Sequence, residues 1–283
     1  MDKNKFNNKF SISSKLIESV MNYINNDNKL KKIFNHHNQK FKNEDMLKYI
    51  ILILKTGISF RDVQQFTTIN WNTIYKYFIK LQKYHIIEIV FKASVTKYLK
   101  ELQNPSKFLL SDTCLISNKL GIDFISYNPQ LKKHKSIKIS IITNNFNVPL
   151  IVNTYESKIN DALILNNQLD EFHNLYPFIE NKIFLGDSAY DSLKLKEKIS
   201  TLFKSQLLTP KNKRNIKDDN KIKQIELALI DKQILKSRIY IEHTINELKK
   251  FKRLSIEVLN LSCTALLELL ILSIITITCL SAL

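Results

Sequence analysis

Two short apolar runs that each close on an acid decide how this chain is read: Phe108-Leu109-Leu110-Ser111-Asp112 and Ile183-Phe184-Leu185-Gly186-Asp187. Runs of this length and composition suit buried strands. If the two strands are neighbours in a sheet, Asp112 and Asp187 stand side by side, and like charges that close call for a cation. Hard divalent ions such as Mg²⁺ take oxygen ligands, and a pair of them clamps the attacking and leaving oxygens of phosphoryl transfer. A lone Asp at a strand end is also a common turn or cap residue. A third element has to separate the two readings.

Between the runs, Ser136-Ile137-Lys138-Ile139-Ser140-Ile141 alternates with period two, Pro149 to Val152 offers it a partner, and a helical segment follows from about Asn160 to Phe172. Asp123, Asp161 and Asp191 read as turn or cap residues, and none is assigned to metal. The third element lies in a long helical pattern, about Lys223 to Lys250, within Arg238-Ile239-Tyr240-Ile241-Glu242-His243-Thr244-Ile245-Asn246-Glu247-Leu248-Lys249. At about 100° per residue, Glu242 lies about 40° from Arg238 and Lys249 about 20° from it, so the three share one helix face. An acid there completes a metal site while the flanking cations hold phosphates. His243 turns about 100° away from Glu242, toward packing or solvent, and Tyr190 reads as a packing residue or a DNA contact.

Residues 1 to about 105 carry helical spacing without a competing strand pattern, and Pro105 marks the shift in composition. Gly57 to Val63 supplies a break, a Ser cap and a short helix, and Thr67 to Asn72 a turn before a second helix. This outlines a helix-turn-helix over about 58–84, in which Asn72, Thr73, Lys76 and Lys80 are the candidates to face a major groove. An ordinary helical hairpin is the alternative.

The chain holds 43 Lys and Arg against 26 Asp and Glu over 283 residues, a formal charge of +17. That balance suits a polyanion, because lysine or arginine placed on a phosphate releases counterions; the Lys, Asn and Ile richness also follows from AT-rich coding DNA. Lys132 to Lys138 and Lys211 to Lys217 are basic patches that steer DNA or form solvated loops. Only three glycines are present, against roughly 7% in an average chain, which excludes Gly-rich phosphate loops and dinucleotide fingerprints. Cys114, Cys263 and Cys279 form no CxxC pair, so structural zinc and a disulfide framework are not expected. The opening MDKNKFNNKFS lacks the apolar core of a leader, and a cytoplasmic protein is expected. The segment from Cys263 to Leu283 is apolar except for Glu268; it is long enough to span a bilayer, but the acid and the Ser and Thr content favour a buried helix.

Asp112-Thr113 after one apolar run, Gly186-Asp187-Ser188-Ala189-Tyr190-Asp191 after the other, and Arg238, Glu242 and Lys249 on a late helix resemble the DDE transposases of bacterial insertion sequences. The family's third element reads Tyr, two residues, Arg, three residues, Glu, six residues, Lys; the last three match here in spacing, and Leu235 stands where the Tyr would be. Lys135-Ser136-Ile137-Lys138 with Pro149, and Asn160-Asp161-Ala162, resemble the stretch between the two aspartates. The resemblance implies an α/β fold: an RNase H-like mixed sheet flanked by helices over 106–283, closed by an apolar helix packed on that sheet and preceded by an all-α helix-turn-helix domain over 1–105. With 75 residues from Asp112 to Asp187 and 55 more to Glu242, a compact catalytic domain is expected.

The same resemblance implies a DNA transposase in which Asp112, Asp187 and Glu242 hold two Mg²⁺ ions, with Mn²⁺ able to substitute, and Arg238 and Lys249 contact DNA phosphates. Water cleaves at the element end, and the 3′-hydroxyl left there attacks target DNA. The implied partners are double-stranded DNA, as terminal inverted repeats and as target, and a second copy of the chain on paired ends, with no membrane and a place on the nucleoid. Two alternatives stay open: an RNase H-like nuclease without strand transfer, and an inactive helix-turn-helix DNA-binding regulator.

Overall fold

Helix α1 (Ser14–Asn26) buries Leu16, Ile17, Val20, Met21 and Ile24, the three-and-four spacing of one helix face. A computed structural model describes residues 14–37, 39–102, 106–121, 123, 126–127, 135–211, 229–255 and 262–278. The side chain of Asp27 caps α2 (Asn28–Phe34), accepting from the backbone N–H of Lys29 at 2.8 Å and of Leu30 at 2.9 Å. Helix α3 (Asn43–Thr56) ends at Gly57, whose φ of 77° lets its N–H return to the Ile53 carbonyl at 2.9 Å. Ser59 then accepts from the Asp62 N–H at 3.1 Å and donates to its carboxylate at 2.7 Å, the expected serine cap. The short helix it caps is a 3₁₀ helix, Asp62–Phe66. After it come α4 (Trp71–Lys83), capped by Asn70, and α5 (Ile86–Glu101).

The sheet is built around β1 (Phe108–Ser117). Strands β3 (Lys135–Asn144) and β4 (Pro149–Glu156) form an antiparallel meander with it, and β2 (Ser126–Tyr127) pairs with the start of β3. On its other edge β1 runs parallel to β5 (Ile183–Leu185), which runs parallel to β6 (Gln206–Leu208). Three antiparallel strands followed by a parallel pair, in the order β4-β3-β1-β5-β6, is the expected RNase H-like mixed sheet. Helix α6 (Asp161–Leu175) connects β4 to β5, and α7 (Leu193–Phe203) connects β5 to β6. Phe172 of α6 and Phe184 of β5 meet Phe203 of α7 with ring centroids 5.8 and 5.3 Å apart, an aromatic centre that ties both helices to the parallel edge.

The alternation read in β3 is real, but its polar side is not left to solvent. Ser136, Lys138 and Ser140 are all buried. Ser140 donates to the Gln168 side-chain oxygen at 2.7 Å, and the Gln168 amide donates back to the Ser140 carbonyl at 3.1 Å and to Asn153 at 2.7 Å. Polar residues on this face thus seat α6 rather than mark a surface.

Helix α8 (Leu229–Leu235), a 3₁₀ turn (Lys236–Arg238), α9 (Ile239–Lys249), α10 (Lys252–Ser255) and α11 (Cys263–Thr278) complete the described chain. It divides into two units: Met1–Leu102 with Leu120–Asp123 and Glu247–Leu283, and Gln103–Lys119 with Phe124–Asn246. The chain therefore does not divide at residue 105 alone. Helix α11 is a buried helix, as favoured, but it belongs to the helical unit and not, as expected, to the sheet unit: it packs against α3, α4, α5 and α10. Its apolar residues complete the helical core: Leu266, Leu269, Leu270, Leu272, Ile274 and Ile275 are all buried. Among the described residues no helix is long and apolar enough to cross a membrane.

Candidate functional site

The parallel pairing of β1 with β5 sets Leu110 opposite Leu185. Asp112 and Asp187 each lie two residues beyond that pair, and the charge of Asp187 acts on the Asp112 carboxyl. The two acids are held differently. Asp187 follows the end of β5 and caps the 3₁₀ turn Ser188–Tyr190, accepting from the Ala189 N–H at 2.8 Å. Asp112 does not end its strand as expected: β1 continues to Ser117, because β3 pairs with it past the point where β5 stops. Its carboxylate accepts from the Thr113 N–H at 2.8 Å.

Gly186 owes its place to packing. A Cβ there would stand 2.7 Å from a ring carbon of Tyr190. Tyr190 is only 1% exposed, and burial, then the charges of Asp112, Asp161 and Asp187, raise its phenol well above the ordinary range. It is a packing residue against which the carboxylates are set.

Burial pushes the Asp112 carboxyl up to about 6; the Thr113 N–H and the Arg238 guanidinium pull it down, while Asp187 and Asp161 push it further up. Arg238 stands 3.8 Å from the Asp112 carboxylate. The Arg238 Nε is buried without a hydrogen-bond partner, a donor suited to a further anion. Asp161, read as a cap, is the first residue of α6 and pairs with Lys138 at 2.7 Å; the Lys138 ammonium also donates to the Ile159 carbonyl at 2.7 Å. This pair is a part of the site that the sequence reading missed. A lysine inside an otherwise apolar and small-polar alternation was the available signal.

The late helix is less regular than the spacing argument assumes, because the 3₁₀ turn Lys236–Arg238 separates α8 from α9. Arg238 reaches Asp112, whereas Glu242, one turn later, is exposed, as are His243 and Lys249. Among the described residues no three Asp, Glu, His or Cys side chains are gathered closely enough to hold an ion. The donor chemistry nonetheless fits a hard divalent cation: carboxylate oxygens only, with repulsion between Asp112 and its acidic neighbours for an ion to relieve.

Of the candidate DNA contacts on α4, Thr73 and Lys76 are exposed and Asn72 and Lys80 half-buried, while Ile74, Tyr77, Phe78 and Leu81 pack inward. Lys80 is engaged within the helical unit. Its ammonium donates to the Ile33 carbonyl at 2.5 Å and lies 4.7 Å from the centre of the Phe34 ring. Of the basic patches, Lys135, Lys138 and Lys211 are described; the remainder lie outside the described residues.

A family model described as the transposase DDE domain matches residues 119–275. No curated protein matches the chain. Similar solved structures include piggyBac transposase in a synaptic complex with hairpin DNA, at 12% identity and TM-score 0.43, covering 76% of this chain and 52% of that one. Others are Mos1 transposase in a paired-end complex with the left transposon end, at 10% identity, TM-score 0.28 and 80% and 85% coverage, and the Mos1 mariner catalytic domain, at 11%, 0.27, and 57% and 88%. The chain spans about half the length of the piggyBac chain it matches.

Proposed function

The chain belongs to the transposase DDE domain family, and from that premise we propose that it binds the ends of an insertion sequence and catalyses Mg²⁺-dependent DNA cleavage and strand transfer. The reading rests above all on Asp112 and Asp187, each two residues beyond the paired Leu110 and Leu185 and acting on one another electrostatically, with Arg238 3.8 Å from Asp112 and its Nε unsatisfied. Asp112, Asp187 and Glu242 would hold the Mg²⁺ ions, or Mn²⁺ in their place. Bound there, divalent ions polarise a phosphoryl oxygen and lower the pKa of water.

The chain's own residues supply position and charge. The aspartates, fixed by the β1–β5 register and by backbone N–H groups, define where the scissile phosphate sits. Arg238 presents its guanidinium to a non-bridging oxygen of that phosphate, and Lys249 contacts the backbone further along. Water attacks the scissile phosphorus at the element end, breaking the P–O3′ bond and leaving a 3′-hydroxyl and a 5′-phosphate; that hydroxyl then attacks a target phosphorus in line and displaces the target strand's own 3′-oxygen. Tyr190 and Gly186 exclude water behind the acids. Asn72, Thr73 and Lys76 of a helix-turn-helix over about 58–84 bind the terminal inverted repeat, and Lys80 holds that helix in place. A homodimer works on paired ends.

The test is cleavage of duplexes carrying the DNA that flanks this coding sequence, with and without Mg²⁺, comparing the wild-type chain with Asp112→Asn and Glu242→Gln. Cleavage at a defined end that needs Mg²⁺ and disappears in both variants supports the reading, and joined products with a second duplex separate strand transfer from hydrolysis alone. Specific binding by a folded chain that cleaves nothing would instead favour the regulator.

A further inference from the structure

The helical unit contains a polar groove that the catalytic reading leaves unused. Two adjoining cavities, of about 440 and 270 Å³, share His36, Gln39 and Asn43 in their walls. The connection between α2 and α3 forms one side, and Thr73, Lys76 and Tyr77 of α4 the other.

A chain of four side-chain amides runs through it. Gln39 donates to the Asn43 oxygen at 2.8 Å, Asn43 to the Asn35 oxygen at 2.7 Å, and Asn35 to the Asn25 oxygen at 2.9 Å. Both remaining directions are fixed by backbone: Gln39 also donates to the Phe41 carbonyl at 2.6 Å, and Asn43 to the Phe34 carbonyl at 3.3 Å. Each amide orients the next, so its two ends differ. Gln39 has spent its NH₂ and presents a carbonyl oxygen, while Asn25 has spent its oxygen and presents an NH₂. One end is an acceptor and the other a donor, held without further ordering.

The surroundings are cationic. Lys40, Lys42 and Lys76 are exposed at the groove and make no ion pair among the described residues, against a single acid, Glu44. Tyr77, only 5% exposed, stands in the wall with its hydroxyl buried and without a hydrogen-bond partner. His36 lines both cavities, and its ring lies tilted against that of His37 with centroids 4.3 Å apart. Lysines for phosphate, an oriented amide row for donor and acceptor edges, and a ring platform together match the chemistry of a nucleotide strand.

We propose that this groove seats one strand of the DNA, with a phosphate on Lys76 and base edges read by the amide chain from Gln39 to Asn25. The inference rests on the DNA-binding reading above. It makes the α2–α3 connection, beside helix α4, a specificity element. The free Gln39 oxygen selects a base amino group, adenine N6 or cytosine N4.

The experiment is fluorescence anisotropy of the full chain on a duplex from the DNA flanking the coding sequence and on a scrambled duplex of the same composition, over a salt series. Lys76→Ala is expected to weaken both complexes and to reduce the salt-dependence slope by about 1. Gln39→Ala and the similarly sized Gln39→Met, which lacks the acceptor oxygen, are expected to lose at least about fivefold of the preference for the flanking duplex, with circular dichroism unchanged. Photocrosslinks from iodinated pyrimidines in that duplex are expected in the peptide spanning residues 35–46. Variants that keep wild-type preference and slope, or crosslinks that avoid 35–46 while Mg²⁺-dependent cleavage persists, overturn the groove and leave the transposase reading standing. A wild-type chain that binds neither duplex overturns both.

Discussion

Two buried charges, Lys138 in the sheet unit and Glu268 in the helical unit, are held in different ways. In the sheet unit Lys138 is 9% exposed and meets both the Asp161 carboxylate and the Ile159 carbonyl, and Ser140, Gln168 and Asn153 bond to one another in sequence. In the helical unit Glu268 of α11 is 2% exposed, and one of its carboxylate oxygens has no partner. The charge nearest to it in effect is Glu88 of α5, which is itself paired with Lys92 at 2.7 Å and His85 at 3.4 Å. Paired burial fixes geometry, and in this protein it does so beside the two aspartates. Unpaired burial makes folding depend on a proton.

The largest expected effect breaks the comparison on the helical side. Burial, then Glu88, pushes the Glu268 carboxyl from its ordinary 4.5 up to about 8. Below the ordinary value both the folded and unfolded chain hold the proton, so nothing is lost. Between there and about 8 the unfolded chain gives up its proton first, and stability falls as pH rises. Glu268→Gln is therefore expected to stabilise the helical unit by up to about 4 kcal/mol at pH 9 and by little at pH 4. Urea denaturation across pH checks it, and parallel profiles for the two chains would defeat the idea.

On the sheet side, Lys138→Met leaves Asp161 partly buried without its cation, an expected loss of about 2–3 kcal/mol in stability. Adding Asp161→Asn should recover part of that loss. A double-mutant cycle that is simply additive would show the pair to be unimportant. Next in size is Gly186→Ala, whose new methyl must displace the Tyr190 ring, at about 2 kcal/mol with a drop in DNA cleavage larger than the stability loss explains. Unfolding curves set beside cleavage rates measured well below the melting temperature separate the two effects. The smallest is Lys80→Met, which keeps the aliphatic stem but loses the Ile33 carbonyl and the Phe34 ring, about 1 kcal/mol. A thermal melt of that variant indistinguishable from wild type would return Lys80 to the pool of free cations.

The parts of the fold that depend on consecutive residues were legible. Apolar spacing marks the helices, alternation marks β3, Gly57 and Ser59 mark a helix end and a cap, and the runs before Asp112 and Asp187 mark the strands that carry the acids. The candidate site was legible in its residue types, not in its company. Nothing local distinguishes Asp161 from any other residue opening a helix, because its importance comes from Lys138, 23 residues away in sequence. The 3₁₀ turn at Lys236–Arg238 likewise escapes a uniform 100° rotation, and it separates α8 from the α9 helix that carries Glu242.

What the sequence by itself determined is therefore the set of elements, the two acids each closing a short apolar run, and the strong positive charge. Those features are encoded in neighbouring residues, where backbone propensity and side-chain periodicity act over a few residues at a time. Tertiary structure alone decided which surfaces meet. It sent α11 to the helical core instead of the sheet unit, turned the polar side of β3 toward α6, engaged Lys80 internally and brought Arg238 to Asp112. The physical reason is that an apolar or polar face states only that it must be covered or paired, and many faces satisfy it. The choice among them is made by the packing of residues far apart in the chain.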